Sequence, residues 1–395
     1  MRHRLMFISL PLVALFLAVT PIAMASSKWY VDGVNGSDNN DCKSRQHACK
    51  TIGHAISLAS SGDSIMVAAA TYTENLGISF SLTIVGSSAA TTIIDGGDVN
   101  TVVTISSTQA HVGLSKVTVR NGLAQYGGGI NNAGTLTINN STLSRNSATN
   151  SSGHSQGGGI SNYGTLTIND STVSGNSVDV GFGGGISNTG GGTLTINNST
   201  LSGNRSSGGG HCTRLCAKGG GIYNAYGTVT INNSTLTGNS VDQYGGGISN
   251  EQGTVAINNS TLTGNSAIGY GGGISSYYGS ATLQNSIVAN SPKGGNCSGS
   301  MTSKGYNLSS DGTCNFNGTG DLNNTDPMLG QLGNYGGPTQ TIPLLSGSPA
   351  IDAGNPSGCT DGKGHLLKTD QRGRPRPDKE DTGGCDMGAY ERQKD

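Results

Sequence analysis

Residues 127–146 read Gly127-Gly-Gly-Ile130-Asn-Asn-Ala-Gly134-Thr-Leu-Thr-Ile138-Asn-Asn-Ser-Thr-Leu143-Ser-Arg-Asn146, and much of the chain is a set of variations on this phrase. The glycine triplet recurs at Gly157, Gly183, Gly219, Gly245 and Gly271, at spacings of 30, 26, 36, 26 and 26 residues. The basic period is therefore 26, and the two longer intervals carry insertions around residues 150–155 and 206–218, which belong in loops. Inside the phrase, Leu136 and Ile138 alternate with Thr135 and Thr137, the mark of a short strand with one buried face. Asn139-Asn140 turns the chain, Leu143 belongs to a second short strand, the Asn146 region turns again, and Ile130 supplies a third inward position. Each repeat thus reads as three short strands and three turns.

Such a unit cannot bury its apolar face alone, and parallel strands cannot be joined by tight hairpins, so successive repeats must stack as coils. The reading is an all-β chain folded as a parallel β-helix, right-handed by the general crossover preference. Stacking places Ile130, Ile160, Ile186, Ile222, Ile248 and Ile274 in one internal ladder and Ile138, Ile168, Ile196, Ile231, Ile257 and Leu283 in another. Asn140, Asp170, Asn198, Asn233, Asn259 and Asn285 form a turn ladder with one irregular member, Asp170. A propeller blade needs a longer period, leucine-rich repeats carry a different phrase, and no aspartate follows the glycine triplets as calcium-binding nonapeptides require.

Composition agrees. The chain has 395 residues with 66 glycines, 11% charged residues and 5% aromatics, and its glycines keep a fixed phase, unlike those of a disordered low-complexity segment. A net charge of −1 without Lys/Arg runs argues against nucleic acid or an anionic membrane surface as partner.

Residues 1–25 read as a secretory signal: Arg2 and Arg4 precede the apolar run Leu5 to Val19, and Ala23-Met-Ala25 offers a small-x-small site with cleavage before Ser26. The mature chain then carries 20 basic and 23 acidic residues and no transmembrane anchor, which points to a secreted, extracellular or cell-surface product. The eight cysteines fall into close pairs, Cys42 with Cys49, Cys212 with Cys216, Cys297 with Cys314 and Cys359 with Cys385, and an exported protein allows four local disulfides. His211, Cys212 and Cys216 could also ligate a metal, but they supply three ligands at most.

Residues 26–62 read as an N-terminal strand and a cap helix, with Ile52, Ala55, Ile56 and Ala59 at helical spacing, able to plug the open end of the stack. Residues 63–291 are the β-helix proper, beginning with less regular coils at Ile65-Met-Val67, Leu82-Thr-Ile-Val85, Ile93-Ile94 and Val102-Val-Thr-Ile105. Residues 292–395 are terminal coils and a charged closing segment that folds against the last coils.

Several stretches resemble known families. Trp29-Tyr-Val-Asp-Gly33, Thr51-Ile-x-x-Ala-Ile56, Gly62-Asp-Ser-Ile65, Thr71-Tyr-Thr-Glu74, Leu82-Thr-Ile-x-Gly86 and Ile94-Asp-Gly96 resemble the start of secreted β-helix proteins of the pectate-lyase-like superfamily. The Gly-Gly-Gly-Ile and Asn-Ser-Thr-Leu repeats resemble those of polymorphic outer-membrane repeat proteins. Ser348-Pro-Ala-Ile-Asp-Ala-Gly354, Thr369-Asp-Gln-Arg-Gly-Arg-Pro375 and Cys385-Asp-Met-Gly-Ala-Tyr-Glu391 are similar to the ending of choice-of-anchor Q bacterial surface proteins. The resemblance implies an exported right-handed β-helix.

For chemistry, a polysaccharide lyase would need a basic residue to abstract a proton and a calcium ion or arginine to neutralise a carboxylate, and a hydrolase would need paired carboxylates. The repeats show neither, which leaves the catalytic residues unassigned and the irregular ends as the place for them: Asp352, Asp370, Arg372, Arg374, Asp386 and Glu391, whose mixed charges otherwise read as exposed ion pairs and cap contacts. No cofactor is expected, Ca2+ entering only under the lyase reading. Aromatics repeat at two phases of the coil. Tyr126, Phe182, Tyr244 and Tyr270 immediately precede a glycine triplet, whereas Tyr163, Tyr226 and Tyr278 precede the glycine that opens a strand. Such platforms either fill turns between coils or stack on sugar rings. Stacked Thr-x-Thr pairs at Thr135/Thr137, Thr165/Thr167, Thr193/Thr195 and Thr228/Thr230, interrupted at Ala256, form an array resembling that of ice-binding β-solenoids, although exposed ladders favour threonine anyway. The expectation is a glycan-binding or adhesive protein whose partner is an extracellular polysaccharide or a host or cell-surface glycan, with a polysaccharide lyase or hydrolase as the alternative and ice binding as a remote one.

Overall fold

A computed structural model describes residues 26–150, 154–208, 217–379 and 384–393. The expected signal segment and the Cys212/Cys216 pair with His211 lie outside the described residues. Within them the strands stack into parallel sheets of eleven, ten, nine, six and three members, so the chain winds as a parallel β-helix. One coil shows the plan: strands Ile248–Glu251, Thr254–Asn258, Thr261–Thr263 and Ser266–Ala267 follow one another around the section. The coil therefore has a fourth strand beyond the expected three. It is two residues long, too short for alternation to reveal, and it sits where the sequence suggested only a turn.

Both isoleucine ladders form in the expected register. Ile130, Ile160, Ile186, Ile222, Ile248 and Ile274 are adjacent partners in the nine-stranded sheet, and Ile138 through Leu283 in the eleven-stranded one, all fully buried. At the turns, Asn140, Asp170, Asn198, Asn233, Asn259 and Asn285 all adopt positive φ, which asparagine and aspartate tolerate better than other side-chain-bearing residues.

Two further amide ladders run inside the helix. Along Asn146, Asn176, Asn204, Asn239 and Asn265 each of the first four donates from Nδ2 to Oδ1 of the next at 2.9–3.0 Å, and along Asn132, Asn162, Asn188, Asn224 and Asn250 the first four do the same at 2.7–2.8 Å. A buried amide costs stability unless paired, and stacking identical coils pairs each amide with its own copy. The glycine triplet is equally constrained: Gly245 has φ +72°, and a Cβ on Gly246 would lie 2.4 Å from the Gly272 carbonyl oxygen of the next coil.

At the N-terminus the strand Lys28–Val31 pairs with Asp63–Val67. The helix Ile52–Leu58 buries Ile52, Ala55 and Ile56 against the stack, its first turn capped by Thr51 Oγ1, which accepts from the His54 amide. The Glu74 carboxylate accepts from the Ile52 and Gly53 amides at 2.9 and 2.7 Å.

The closing segment reaches further back than the last coils. Thr339 Oγ1 donates to the Asn198 carbonyl, Gln371 Nε2 donates to Thr200 Oγ1, Arg376 donates to Asn233 Oδ1, and Asn259 Nδ2 donates to the Thr360 carbonyl. This is a strap along the flank of the helix. Several of its charges are buried: Asp370, Arg372, Arg376, Asp386 and Glu391 lie inside, and the pairs Arg372–Asp370 and Arg376–Glu391 close at 2.6 and 2.7 Å, while Arg374 and the His365–Asp361 pair stay at the surface. Exposed ion pairs and cap contacts were the expectation; the contacts form, and these two pairs are buried. Burial arises because the strap lies with one face on the coils and folds its charges inward onto one another.

Disulfides join Cys42–Cys49, Cys297–Cys314 and Cys359–Cys385, as expected and as an extracellular setting permits. No described helix is long and apolar enough to cross a membrane.

Candidate glycan groove

The residues before the glycine triplets form one continuous ladder. Tyr126 bridges to Gln156, Gln156 pairs with Phe182, Phe182 with Lys218, and Lys218 bridges to Tyr244 and Tyr244 to Tyr270. Parallel stacking thus makes a wall from a single repeat position. Its aromatics are not evenly distributed: Tyr244 and Tyr270 stack on each other with centroids 6.2 Å apart and planes 13° apart, while Phe182 stacks at 4.7 Å on Tyr223.

Tyr163, Tyr226 and Tyr278 do not share one position. Ala225, Glu251 and Tyr277 are adjacent partners directly after the asparagine ladder, the level that Tyr163 also occupies as the residue following Asn162. Tyr226 and Tyr278 lie one residue further on, at φ 59° and 51°, with Gln252 between them at 53°. The cause is turn length: Asn162 is separated from its glycine by one residue, Asn224 by two. Tyr226 and Tyr278 are strongly exposed and Tyr163 less so.

Between these two rows runs the outward face of the nine-stranded sheet: Asn131, Ser161, Ser187, Tyr223, Ser249, Ser275 and Ser298 on successive coils. Small floor residues between taller rows make a trough. Contacts cross it at two levels. Gln156 Oε1 accepts from Tyr163, Ser187 and Thr189 hydroxyls at 3.4 Å. Glu251 Oε2 accepts from Lys218 Nζ at 2.6 Å and from the Tyr223 hydroxyl at 2.9 Å. Burial and the adjacent Glu251 charge raise the Tyr223 pKa well above the usual tyrosine value, keeping the phenol protonated as a donor.

Beyond the second crossing the trough deepens into a cavity of about 380 Å³, lined by Lys218, Tyr244, Ser249, Glu251, Tyr270, Ser275, Ser276, Tyr277, Ser298 and Gly299. Tyr270 and Tyr277 stand 63% and 59% exposed at its rim, and Tyr277 packs edge-on against Tyr278 at 4.3 Å. The arrangement offers aromatic faces and edges at the sides and hydroxyls at the bottom, the combination that suits a sugar ring.

The sequence reading picked Tyr244 and Tyr270 but missed Lys218, Tyr223, Glu251 and Tyr277. Aligning the repeats on Ile222 and Ile248 places the first three, since Lys218, Tyr223 and Glu251 each stand where a neighbouring coil carries an aromatic, serine or alanine, whereas Tyr277 follows Ser276, which replaces the asparagine, and pairs with Glu251.

Among the described residues, the charged groups of the strap are engaged largely with one another. Arg376 and Glu391 of the strap pair with each other, Asp370 holds Arg372, Asp386 accepts from the Asp352 amide at 2.8 Å, and Arg374 is exposed. Among the described residues one group of potential metal ligands converges, Cys42, Cys49 and His54, and the first two are joined as a disulfide. The described acidic residues form no such group, so nothing in the trough fits a calcium ion held by several carboxylates. The Thr-x-Thr pairs lie in register on the eleven-stranded sheet from Thr135/Thr137 to Thr228/Thr230, and Ala256 interrupts them.

These features define a parallel β-helix with a lateral aromatic groove, and a solved structure shares its fold. Pectate lyase Pel9A superposes with a TM-score of 0.56 at 14% identity, covering 94% of this chain and 98% of that one. A pectin methylesterase in complex with a hexasaccharide gives 0.35 at 15% identity over 75% of this chain and 82% of its own, and a lacto-N-biosidase from Eubacterium ramulus gives 0.33 at 10% over 72% and 63%. The first of these establishes the pectate-lyase fold. The sequence matches no family model and no curated protein.

Proposed function

We propose that this is an exported glycan-binding protein, extracellular or held at a cell surface, that takes polysaccharide or host glycan into the trough beside Tyr244, Tyr270 and Tyr277. The observation that carries this reading is the set Tyr244, Tyr270 and Tyr277 standing around a serine floor in a cavity of about 380 Å³. Rung spacing of about 4.8 Å makes each coil comparable in length to one sugar, so a repeated wall can meet a repeated ligand. The disulfides and the pectate lyase that shares the fold support the same reading. A lyase or hydrolase would need a second carboxylate or an unpaired base near Glu251, whereas the cavity's one lysine is tied to its one carboxylate.

The test is retention of residues 26–395 on a panel of plant, bacterial and animal polysaccharides, with and without calcium, while polymer size is followed. Retention without shortening supports binding. Shortening of any polymer replaces it with catalysis, and absence of retention on every polymer leaves a structural spacer.

A further inference from the structure

Tyr223 breaks the pattern of the trough floor. The outward residue is serine on the coils before and after it, Ser187 and Ser249, yet at this one level a phenol fills the bottom. Its ring stacks on Phe182 of the preceding coil at 4.7 Å, and its hydroxyl donates to Glu251 of the following coil. Lys218, from the opposite row, donates to the same carboxylate oxygen at 2.6 Å. Floor and both sides therefore meet at a single level, and Tyr223 is only 7% exposed.

We infer that Tyr223, Lys218 and Glu251 form a dam that closes one end of the cavity, so that the site takes the terminal sugars of an uncharged glycan and not an internal stretch of polymer. This rests on the glycan-binding reading above. A chain running through along the helix axis would have to break the Phe182–Tyr223 stack and the Lys218–Glu251 pair together. From the Tyr223 level to the Ser298 level the floor advances three rungs, about 14 Å, which is room for a short oligosaccharide. The charge of the ligand follows from the same pair. The cavity lining carries one cation and one anion, already joined, so a polyuronate with a negative charge on each sugar would meet no unpaired cation in that lining and would face Glu251.

The experiment is calorimetric titration of the full chain with length series of neutral oligosaccharides (gluco-, xylo- and manno-oligosaccharides, from di- to octasaccharide) and with oligogalacturonides as the acidic series. Affinity is expected to level off by the tri- or tetrasaccharide in one neutral series, with oligogalacturonides at least tenfold weaker. The variants Tyr223→Ser, which restores the residue of the neighbouring coils, and Lys218→Gln, which copies Gln156 of the same ladder, are expected to restore a dependence on length beyond the tetrasaccharide. Affinity that keeps rising with length in the unaltered protein overturns the dam, and equal or tighter binding of oligogalacturonides overturns the uncharged ligand. Either result leaves glycan binding standing. Retention on a polysaccharide without binding of any oligosaccharide also overturns end recognition, and no binding to polymer or oligosaccharide removes the function proposed above.

Discussion

Arg376 Nε lies 2.7 Å from Glu391 Oε2 with both side chains fully buried, and the same guanidinium donates to Asn233 Oδ1 at 2.8 Å and to the Gly388 carbonyl. One residue thus links the strap to itself and to a turn of the β-helix. Removing either partner strands a buried charge, which costs about 3–5 kcal/mol. Arg376→Met is therefore expected to lower the denaturant midpoint strongly, and Arg376→Lys to recover only part of it, since an ammonium cannot hold three acceptors in a planar fork. Urea unfolding followed by circular dichroism measures both.

The strap also carries a pH dependence. Burial, and next the Glu391 charge, push the Asp386 carboxyl up to about 7. The folded state then holds a proton that the unfolded chain releases near pH 4, so Asp386 contributes its full stability below about pH 4 and loses it progressively as the pH rises toward 7. Above that the contribution is flat. Its span is on the order of a few kcal/mol. Asp386→Asn is expected to flatten the wild-type slope between pH 4 and 7, and the difference between the two proteins' denaturant midpoints across that window isolates this group from the other carboxylates.

Asn204 occupies the middle of a buried amide ladder. It accepts from the Asn176 side chain at 2.9 Å and the Asn176 backbone amide at 3.1 Å, and it donates to Asn239 Oδ1 and the Val173 carbonyl. Asn204→Asp keeps size and acceptors but loses both donations, so it is expected to destabilise by about 1–3 kcal/mol for each acceptor orphaned. Asn204→Ala also strands the Asn176 donors. Asn139, at the partly exposed surface ladder, is the comparison: its alanine variant is expected to fall within about 1 kcal/mol of wild type because water replaces the lost partner. Thermal melts of the three variants at one pH check the order.

How far the sequence reveals this molecule depends on whether a residue repeats. Ile130 and Ile138 recur at a fixed phase with polar neighbours, so their ladders and the fold follow from alternation alone. Asn204 also recurs, yet it reads as a turn, because periodicity shows that a position is special without showing that its side chain points inward. Tyr223, Lys218 and Glu251 depart from their repeat, and only stacking brings a lysine just after an insertion within 2.6 Å of a carboxylate 33 residues away. Gln371 is hidden more deeply still: it meets Thr200 across 171 residues through a strap with no period. The walls were visible as a rhythm of tyrosines. The dam was not, being an exception to that rhythm.

The glycan reading makes a positional prediction across the dam. Tyr270 and Tyr277 line the cavity beyond Lys218–Glu251, whereas Tyr126 and Tyr163 lie on the other side of it, at coils nearer the N-terminus. An aromatic contact is worth about 0.5–1.5 kcal/mol beyond its buried area, so Tyr270→Ala and Tyr277→Ala are each expected to weaken binding of a short neutral oligosaccharide by roughly three- to tenfold. Tyr126→Ala and Tyr163→Ala are expected to leave that affinity unchanged. All four positions are at least partly exposed, and Tyr270 and Tyr277 are mostly so, which keeps the stability cost of these substitutions small and lets titration calorimetry report binding alone. Equal losses at all four tyrosines would mean that the ligand occupies the whole length of the trough and that the cavity is not its site.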